Sequence, residues 1–572
     1  MNRTGRKSPH VKLVAIAEDE ATGEFIAVID FRDVDGQIRR IEQPKSNLRK
    51  IEQLREALDN SGACLFADDR KNRHAIRNLS RSADKAERWK YAPFVGWYDG
   101  HRAFVLSDRV IGRARGNALV LPPRHRKDRQ RFDLICKGSH KDWVRSVAEP
   151  ARYSSCMVLG ICMAHAAPLL DFLDFHSFGI LLADQSKSAK STGLVVVGSV
   201  IGITGEEQLP NFRTTDTALG ELPAAFNDMV MPINELGLLK GSAKDRYERM
   251  RDLAYGFAEG RGTTYSKFVP HDSGNCGHKW RSLGFATGEE TIDQIALAAG
   301  VSRSMGESIR WINLRGTRRG APDIFDRCPA NVSTEDRTGW VRQACKDLRR
   351  AAREHPGVAF EHFVKRVIKR RRKISALATP LIDEFIKAAV DKSDEPALHH
   401  LASCFGIIRA GGILGVRFGT LPYSEKFVDR CIMRCYRTAR RGLRTENELL
   451  RSALRRVRAK LKSSNMLKVV AKKKPRADAF KVSDGYINKS GSTPTVTVRA
   501  EKFKGWFDDP RQPALVLRWL HTKKALSCKP TLPAKSGNAI VWAESQPEWP
   551  DRSRPRSIVI ELSHGLLNQI KV

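Results

Sequence analysis

Along residues 11 to 135 apolar and polar positions alternate in short runs separated by turn residues, the period-two signature of strands. Lys12 to Ile16, Glu24 to Phe31, Ile38 to Ile41 and Ala103 to Leu106 are the clearest of these runs. They predict a β-rich α+β domain over residues 1–142. From 143 to 175 the spacing becomes helical, with Met157, Leu159, Ile161, Met163, Leu169, Leu170 and Phe172 as its apolar positions. Between Ser177 and Gly316 apolar strand-like runs alternate with helical stretches, which is how a parallel sheet covered by helices is written. Residues 143–333 are therefore the expected α/β core.

The pattern over 334–463 is predominantly helical, and its last stretch carries Leu450, Leu454, Val457 and Leu461 with basic residues between them, an amphipathic helix with a cationic outer face. Residues 464–479 read as an exposed linker. The final module, 480–572, offers a helix around Ala514 to His521, then strands Ile540 to Trp542 and Ile558 to Leu562 separated by a proline-rich turn. A helix followed by a hairpin is compatible with a winged helix, and a generic α+β module fits as well.

Charge changes this picture. The 572 residues carry 100 Lys and Arg against 64 Asp and Glu, a formal net charge of +36, and the excess is clustered. A solvated surface needs far less, so a polyanion partner is expected. The densest cluster is KRVIKRRRK, with Lys365, Arg366, Lys369, Arg370, Arg371, Arg372 and Lys373; Arg455, Arg456 and Arg458 lie in a second one from Arg434 to Lys462. Nucleic acid is expected over lipid, because no basic amphipathic stretch carries the aromatic apolar face of a membrane-docking helix. No base-reading helix is evident, so phosphate contacts to DNA, single-stranded in the favoured reading, should dominate, with weak sequence preference. The longest apolar runs, such as Gly193 to Ile203, are too short to span a bilayer, and the basic N-terminus leads into no apolar signal core, which predicts a cytoplasmic protein. Eleven cysteines without paired spacing argue against a disulfide framework; neither Cys431 with Cys435 nor His271, Cys276 and His278 supplies four zinc ligands. Clustered carboxylates suited to two-metal nuclease or polymerase chemistry are not found.

Candidate chemistry centres on residues 178–200. A phosphate-binding loop needs a buried strand, a turn whose backbone N–H groups face the phosphates, then Lys and Ser or Thr opening a helix. Phe178 to Ala183 is such a strand, Asp184 to Ser191 (DQSKSAKS) such a turn, and Gly193 to Val200 continues as a helix. Asp184, Ser188, Ala189, Lys190, Ser191 and Thr192 would cradle ATP, with Lys190 on the β and γ phosphates and Ser191 on Mg²⁺. Downstream, Met229 to Glu235 is an apolar strand, expected to neighbour the first, ending in Asn234 and Glu235, placed to complete the metal shell and to orient an attacking water. Pro232 inside it points to an edge strand.

In order and spacing these features resemble the family catalogued as domain of unknown function 927, found in replication proteins of plasmids, prophages and integrative elements. The resemblance runs from about residue 12 to 420, through Gly96-Trp97, Trp143, the Asp184–Thr192 loop, Thr214 and Leu219, Asn227-Asp228, Asn234-Glu235, Trp280, Thr287-Gly288-Glu289, Gly306, Arg310, Phe405 to Gly412 and Leu421-Pro422. It implies a P-loop core of the AAA+ type related to MCM helicases, assembling as a ring or partial ring on DNA. It further implies that Thr287 ends a sensing strand near the γ-phosphate and that Arg310 is an arginine finger reaching a neighbouring subunit's nucleotide.

Several positions depart from that pattern. Asp184 and Ala189 stand where the phosphate loop has glycine, Asn234 replaces an aspartate, and Gly262 to Thr264 stand where the family has a Lys and Arg pair. Losing one oriented charge or donor typically costs about 3 kcal/mol of transition-state stabilisation. The expectation is a helicase-type replication protein of a mobile element whose ATP hydrolysis is weak or lost; the competing expectation is a non-catalytic DNA-binding or assembly protein on the same fold.

Overall fold

A computed structural model describes residues 11–65, 68–116, 118–124, 132–261, 279–317, 321–469, 475–490, 493–526, 530–531, 541–542 and 546–562. Two compact units divide the chain: Met1–Ile292 with Gly306–Arg440, and Asp293–Met305 with Arg441–Val572. The last break, after Arg440, falls inside the span 334–463 that the sequence groups as one basic helical domain.

The larger unit opens on β1 (Val11–Asp19), β2 (Glu24–Arg32), β3 (Ile38–Pro44), β4 (Glu87–Tyr91), β5 (Gly96–Tyr98), β6 (Ala103–Val105), β7 (Val110–Gly112) and β8 (Leu119–Leu121), of which β1, β2, β3 and β6 fall in the four expected runs. Five of them form a mixed sheet in the order β3-β2-β1-β4-β8, and β5, β6 and β7 form a separate meander. Leu13, Ile16, Ala27, Ile29 and Phe31 of the large sheet share a core with Leu54 and Leu58 of α1 (Ile51–Asn60) and Ile76 and Leu79 of α2 (Asp69–Arg81). Helix α3 (Ser155–Ala166) follows, with all twelve residues buried, so its apolar pattern wraps the whole circumference, as in a core helix.

The α/β core contains β9 (Phe178–Ala183), α4 (Lys190–Ile201), α5 (Asp216–Ala225), β10 (Val230–Ile233), α6 (Ala243–Glu259), β11 (Leu283–Gly288) and β12 (Trp311–Arg315). The four strands form one parallel sheet in the order β10-β11-β9-β12. Every residue of β9, β10 and β11 is buried, the mark of a parallel sheet covered on both faces. The strand with Pro232 is an edge strand, as a missing N–H requires, and among the described residues only the isolated parallel bridge of Asn211 to Asn234 extends the sheet past it.

Helices α7 (Arg337–Glu354), α8 (Val358–Arg370), α9 (Ile374–Ala389), α10 (Pro396–Arg417) and α11 (Glu425–Gly442) complete this unit apart from the last two residues of α11. Helix α10 corrects the reading that no apolar run is long enough for a bilayer. It passes on length and hydropathy, and 72% of its apolar window is buried within the protein. Cys431 and Cys435 are buried on α11, with the Cys435 Sγ donating to the Ser155 carbonyl at 3.6 Å, and no metal-binding cluster occurs among the described residues. His271, Cys276, His278 and Gly262 to Thr264 lie outside the described residues.

In the smaller unit, Asp293–Met305 joins the C-terminal module although it lies between core strands in sequence. Arg511 donates to the Arg303 carbonyl at 3.0 Å, and Ser302 donates to Asp509 at 3.3 Å. Helix α12 (Glu446–Leu461) packs Ala453, Val457 and Leu461 into a core with β14 (Gly485–Asn488), β15 (Thr495–Arg499) and α13 (Gln512–Thr522). The sheet order is β13-β14-β15-β18, with β13 at Met466–Val469 and β18 at Ser557–Glu561. This corrects the expected terminal hairpin. Strand β18 pairs with β15, while β17 (Val541–Trp542) pairs with β16 (Pro530–Thr531). Runs this short take their partners from tertiary packing, which periodicity does not encode.

Candidate functional site

The loop between β9 and α4 leaves the sheet at its C-terminal edge, where ligands bind in open parallel sheets. Its shape is one that glycine would give: Lys187 has φ +63° and Ala189 φ +68°, both left-handed. Among the described residues, no backbone N–H from Ser186 to Thr192 has a protein acceptor. A row of such donors at a helix start is the cradle that an anion fills. Lys190 opens α4, and its Nζ donates to the carbonyls of Asp184 and Gln185, both at 2.6 Å, and to Ser188 Oγ at 3.4 Å. Burial pushes the Lys190 ammonium below its ordinary pKa, while the carboxylates of Glu235, Asp184 and Glu289 pull it back up.

Both oxygens of the Asp184 carboxylate are engaged by backbone amides. Its Oδ1 accepts from Gln185 N at 2.9 Å and its Oδ2 from Thr317 N at 2.7 Å, beyond the end of β12.

Glu235 lies just past the end of β10, but β10 is not next to β9 as the sequence suggests. Strand β11 lies between them and brings Thr287 in. The Thr287 hydroxyl donates to Asn234 Oδ1 at 3.0 Å and accepts from Glu235 N at 3.1 Å. Asn234 Nδ2 also reaches Glu206 at 3.4 Å. The three residues are thus one hydrogen-bonded group, and the Asn234 amide is engaged in holding Thr287. Glu235 has φ +54°, and its carboxylate accepts from Gly237 N at 3.1 Å.

The remaining predicted residues are placed differently. Thr192 is buried and its hydroxyl accepts from Arg349 Nε of α7 at 3.1 Å, so it ties the helical region to α4. Ser191 is half-buried in the first turn of α4. Arg310 immediately precedes β12, at the end of the sheet opposite the loop, with its guanidinium 4.7 Å from the Tyr255 ring centroid and donating to the Gly306 carbonyl at 2.9 Å. It is not brought to its own chain's loop. Sequence reasoning singled out Glu289 without giving it a role and missed Arg349 and the Thr317 amide; a contact such as Arg349 to Thr192, across 157 positions, leaves no local signal.

Of the basic residues, Lys369, Arg370, Arg372 and Lys373 are exposed around the end of α8, and Arg370 stacks on Phe418 at 4.8 Å. Lys365 pairs with Glu361 at 2.7 Å, Arg366 contacts His362 at 3.2 Å, and Arg371 donates to the Ile368 carbonyl at 3.3 Å. In the smaller unit Arg455 and Arg458 are exposed, whereas Arg456 is held by the Asp508 carboxylate.

Residues 6–268 match the family model described as domain of unknown function (DUF927). That span is a DUF927 domain. It covers the phosphate-type loop and the Asn234-Glu235 tip, whereas Thr287, Arg310 and the later features of the resemblance lie beyond it. No curated protein matches the chain. Among solved structures, this chain is similar to one described as "SCCmec type IV Cch - active helicase", at 15% identity and a TM-score of 0.61, covering 99% of this chain and 95% of that one. At that identity the likeness concerns the fold. A second, described as the apo A form of the NrS-1 C-terminal region, aligns at 9% identity with a TM-score of 0.25 over 74% of this chain and 91% of that one.

Proposed function

We propose that the chain is a replication protein of a mobile element, built on a helicase-type nucleotide-binding core that acts on DNA. The observation that carries the reading is the row of unpaired N–H groups from Ser186 to Thr192, at the edge of a parallel sheet, with Lys190 at its helix start and Glu235 two strands away. The fold shared with a structure described as an active helicase supports it.

The site fits Mg-ATP by its donors. The loop amides and Lys190 bind phosphate oxygens, Ser191 offers a hydroxyl to Mg²⁺, and the metal, when bound, would neutralise charge on the β and γ oxygens. Glu235 orients a water for in-line attack, and Thr287 holds the Glu235 backbone in place. Two features make turnover slow. Lys190 must leave two carbonyls of its own loop to reach phosphate, and Asn234 adds no negative charge to the metal shell. Arg310 acts, in this reading, on the nucleotide of a neighbouring copy, which requires a ring or partial ring. The exposed cations around the end of α8 hold the DNA backbone.

Titrating labelled ATP with Mg²⁺ against the purified chain, with and without single-stranded DNA, tests this directly. Saturable binding lost in Lys190→Ala, with slow DNA-stimulated phosphate release, is expected. Binding of DNA that is steeply salt-dependent yet indifferent to ATP, with no nucleotide affinity, would leave only a non-catalytic DNA-binding or assembly protein.

A further inference from the structure

Helix α2 of the N-terminal sheet domain carries a line of cations that neither the phosphate loop nor the α8 cluster explains. Its thirteen residues hold Arg70, Lys71, Arg73, Arg77 and Arg81 against one acid, Asp69. Asn72, Ile76 and Leu79 are its buried side. Arg70, Arg73, Arg77 and Arg81 are exposed and follow one another at intervals of three, four and four residues, which stacks them on one face. At 1.5 Å per residue the line is roughly 16 Å long, close to five axial phosphate steps of one strand of a duplex.

Neighbouring carboxylates do not neutralise this line. Glu52 is shared between Arg55 and Arg73, each at 3.1 Å, so one anion serves two cations. Arg70, Arg77 and Arg81 have no ion-pair partner among the described residues. Like charges one turn apart destabilise a helix, so the row is a cost to the isolated chain that a polyanion would remove. The exposed side also shows His74 and Asn78 and no aromatic or aliphatic side chain. It has nothing to insert into a membrane and nothing to stack on a base.

We propose that this face of α2 binds the phosphodiester backbone of DNA, as a contact separate from α8. The proposal rests on the reading of the chain as a DNA-binding protein. Its test uses the full chain, a labelled oligo(dT) strand and a duplex of equal length, over a range of salt concentrations. Three variants are compared with the wild type: R70E/R77E/R81E, the charge-conserving R70K/R77K/R81K, and K369E/R372E/K373E. The α2 reversal is expected to weaken binding by about tenfold or more at low salt and to lower the slope of log affinity against log salt by about 2 to 3, with the lysine variant close to wild type. Circular dichroism confirms that these surface changes leave the fold intact. Wild-type affinity and slope in the α2 reversal, with loss confined to the α8 variant, would overturn the proposal and leave the wider reading standing. Loss of binding to phosphatidylserine vesicles with DNA binding unchanged would assign the face to lipid and overturn it as well. A wild type that binds no DNA would remove the wider reading and this proposal together.

Discussion

The two edges of the parallel core sheet are both polar, and they differ in how completely their groups are satisfied. At the C-terminal edge the loop amides have no acceptor among the described residues, and the carboxylates of Glu235, Asp184 and Glu289 act on Lys190 electrostatically. At the N-terminal edge the polar groups are closed on one another, and Ser177, Asn227, Asp228 and Ser282 among them are buried. Asp228 accepts from Trp97 N at 3.0 Å and Asn227 Nδ2 at 3.1 Å; Asn227 Oδ1 accepts from Arg281 N at 2.8 Å; Ser282 N donates to Ser177 Oγ at 3.0 Å; and Arg281 is paired with Asp171 and Asp174. A saturated network fixes the fold and an unsaturated one waits for a ligand. The same sheet therefore holds its N-terminal meander with one end and offers chemistry with the other.

The sharpest way to break this contrast is Gly96→Ala. A Cβ at Gly96 would overlap Asp228 Oδ2 and Asn227 Nδ2, and its φ of +107° suits only glycine. Overpacking and backbone strain together predict a loss of about 4–5 kcal/mol in urea unfolding. A loss below about 1 kcal/mol would mean that the N-terminal edge is not closed.

Asp228 gives the next largest effect. Burial raises its carboxyl to about pH 7, against 3.8 for a free aspartate. The folded state therefore prefers the protonated form, so the stabilisation is complete below about pH 4 and is lost as pH rises to about 7, by up to about 4 kcal/mol. Asp171 works in the opposite direction, because the His101 contact holds it below the carboxylate range. The measurement is therefore the difference between wild type and Asp228→Asn. It should slope between pH 4 and 7 and flatten above; a flat difference curve would show that Asp228 titrates normally.

At the other edge Lys190→Ala should cost about 3 kcal/mol in transition-state stabilisation, a hundredfold loss of any phosphate release, with unfolding free energy changed by about 1 kcal/mol or less. An unfolding loss as large as that of Gly96→Ala would make Lys190 a structural residue like those at the opposite edge.

How much of this was legible follows from range. FGILLA announces β9 because a strand buried on both faces is a continuous apolar run, and Pro232 marks β10 as an edge strand by what it lacks. The insertion of β11 between them is a topological fact with no local pattern, so Glu235 was placed one strand too close. Arg456 reads as a DNA contact until Asp508, 52 positions away, neutralises it. In the C-terminal module β13, β14 and β15 are four or five residues long, and the partner of each is chosen by the core beneath. The loop was legible in its Lys-Ser and obscured by Asp184 and Ala189; its backbone nevertheless keeps the left-handed turn.

That retention sets up the smallest effect, Ala189→Gly. Alanine at φ +68° costs about 1–2 kcal/mol relative to the right-handed region, and glycine removes this strain. Glycine also gives the unfolded chain more freedom, at a cost of about 0.5–1 kcal/mol. The net is a gain of about 0.5 kcal/mol, a small rise in the melting temperature. Nucleotide affinity should rise by up to about fivefold, since the unfolded-state term does not enter binding and the loop amides would converge on phosphate without a Cβ among them. A gain in affinity with little change in stability would confirm that this edge is shaped for an anion; equal losses in both would show that the Ala189 methyl is packed structure, and the contrast between the two edges would narrow to their degree of burial.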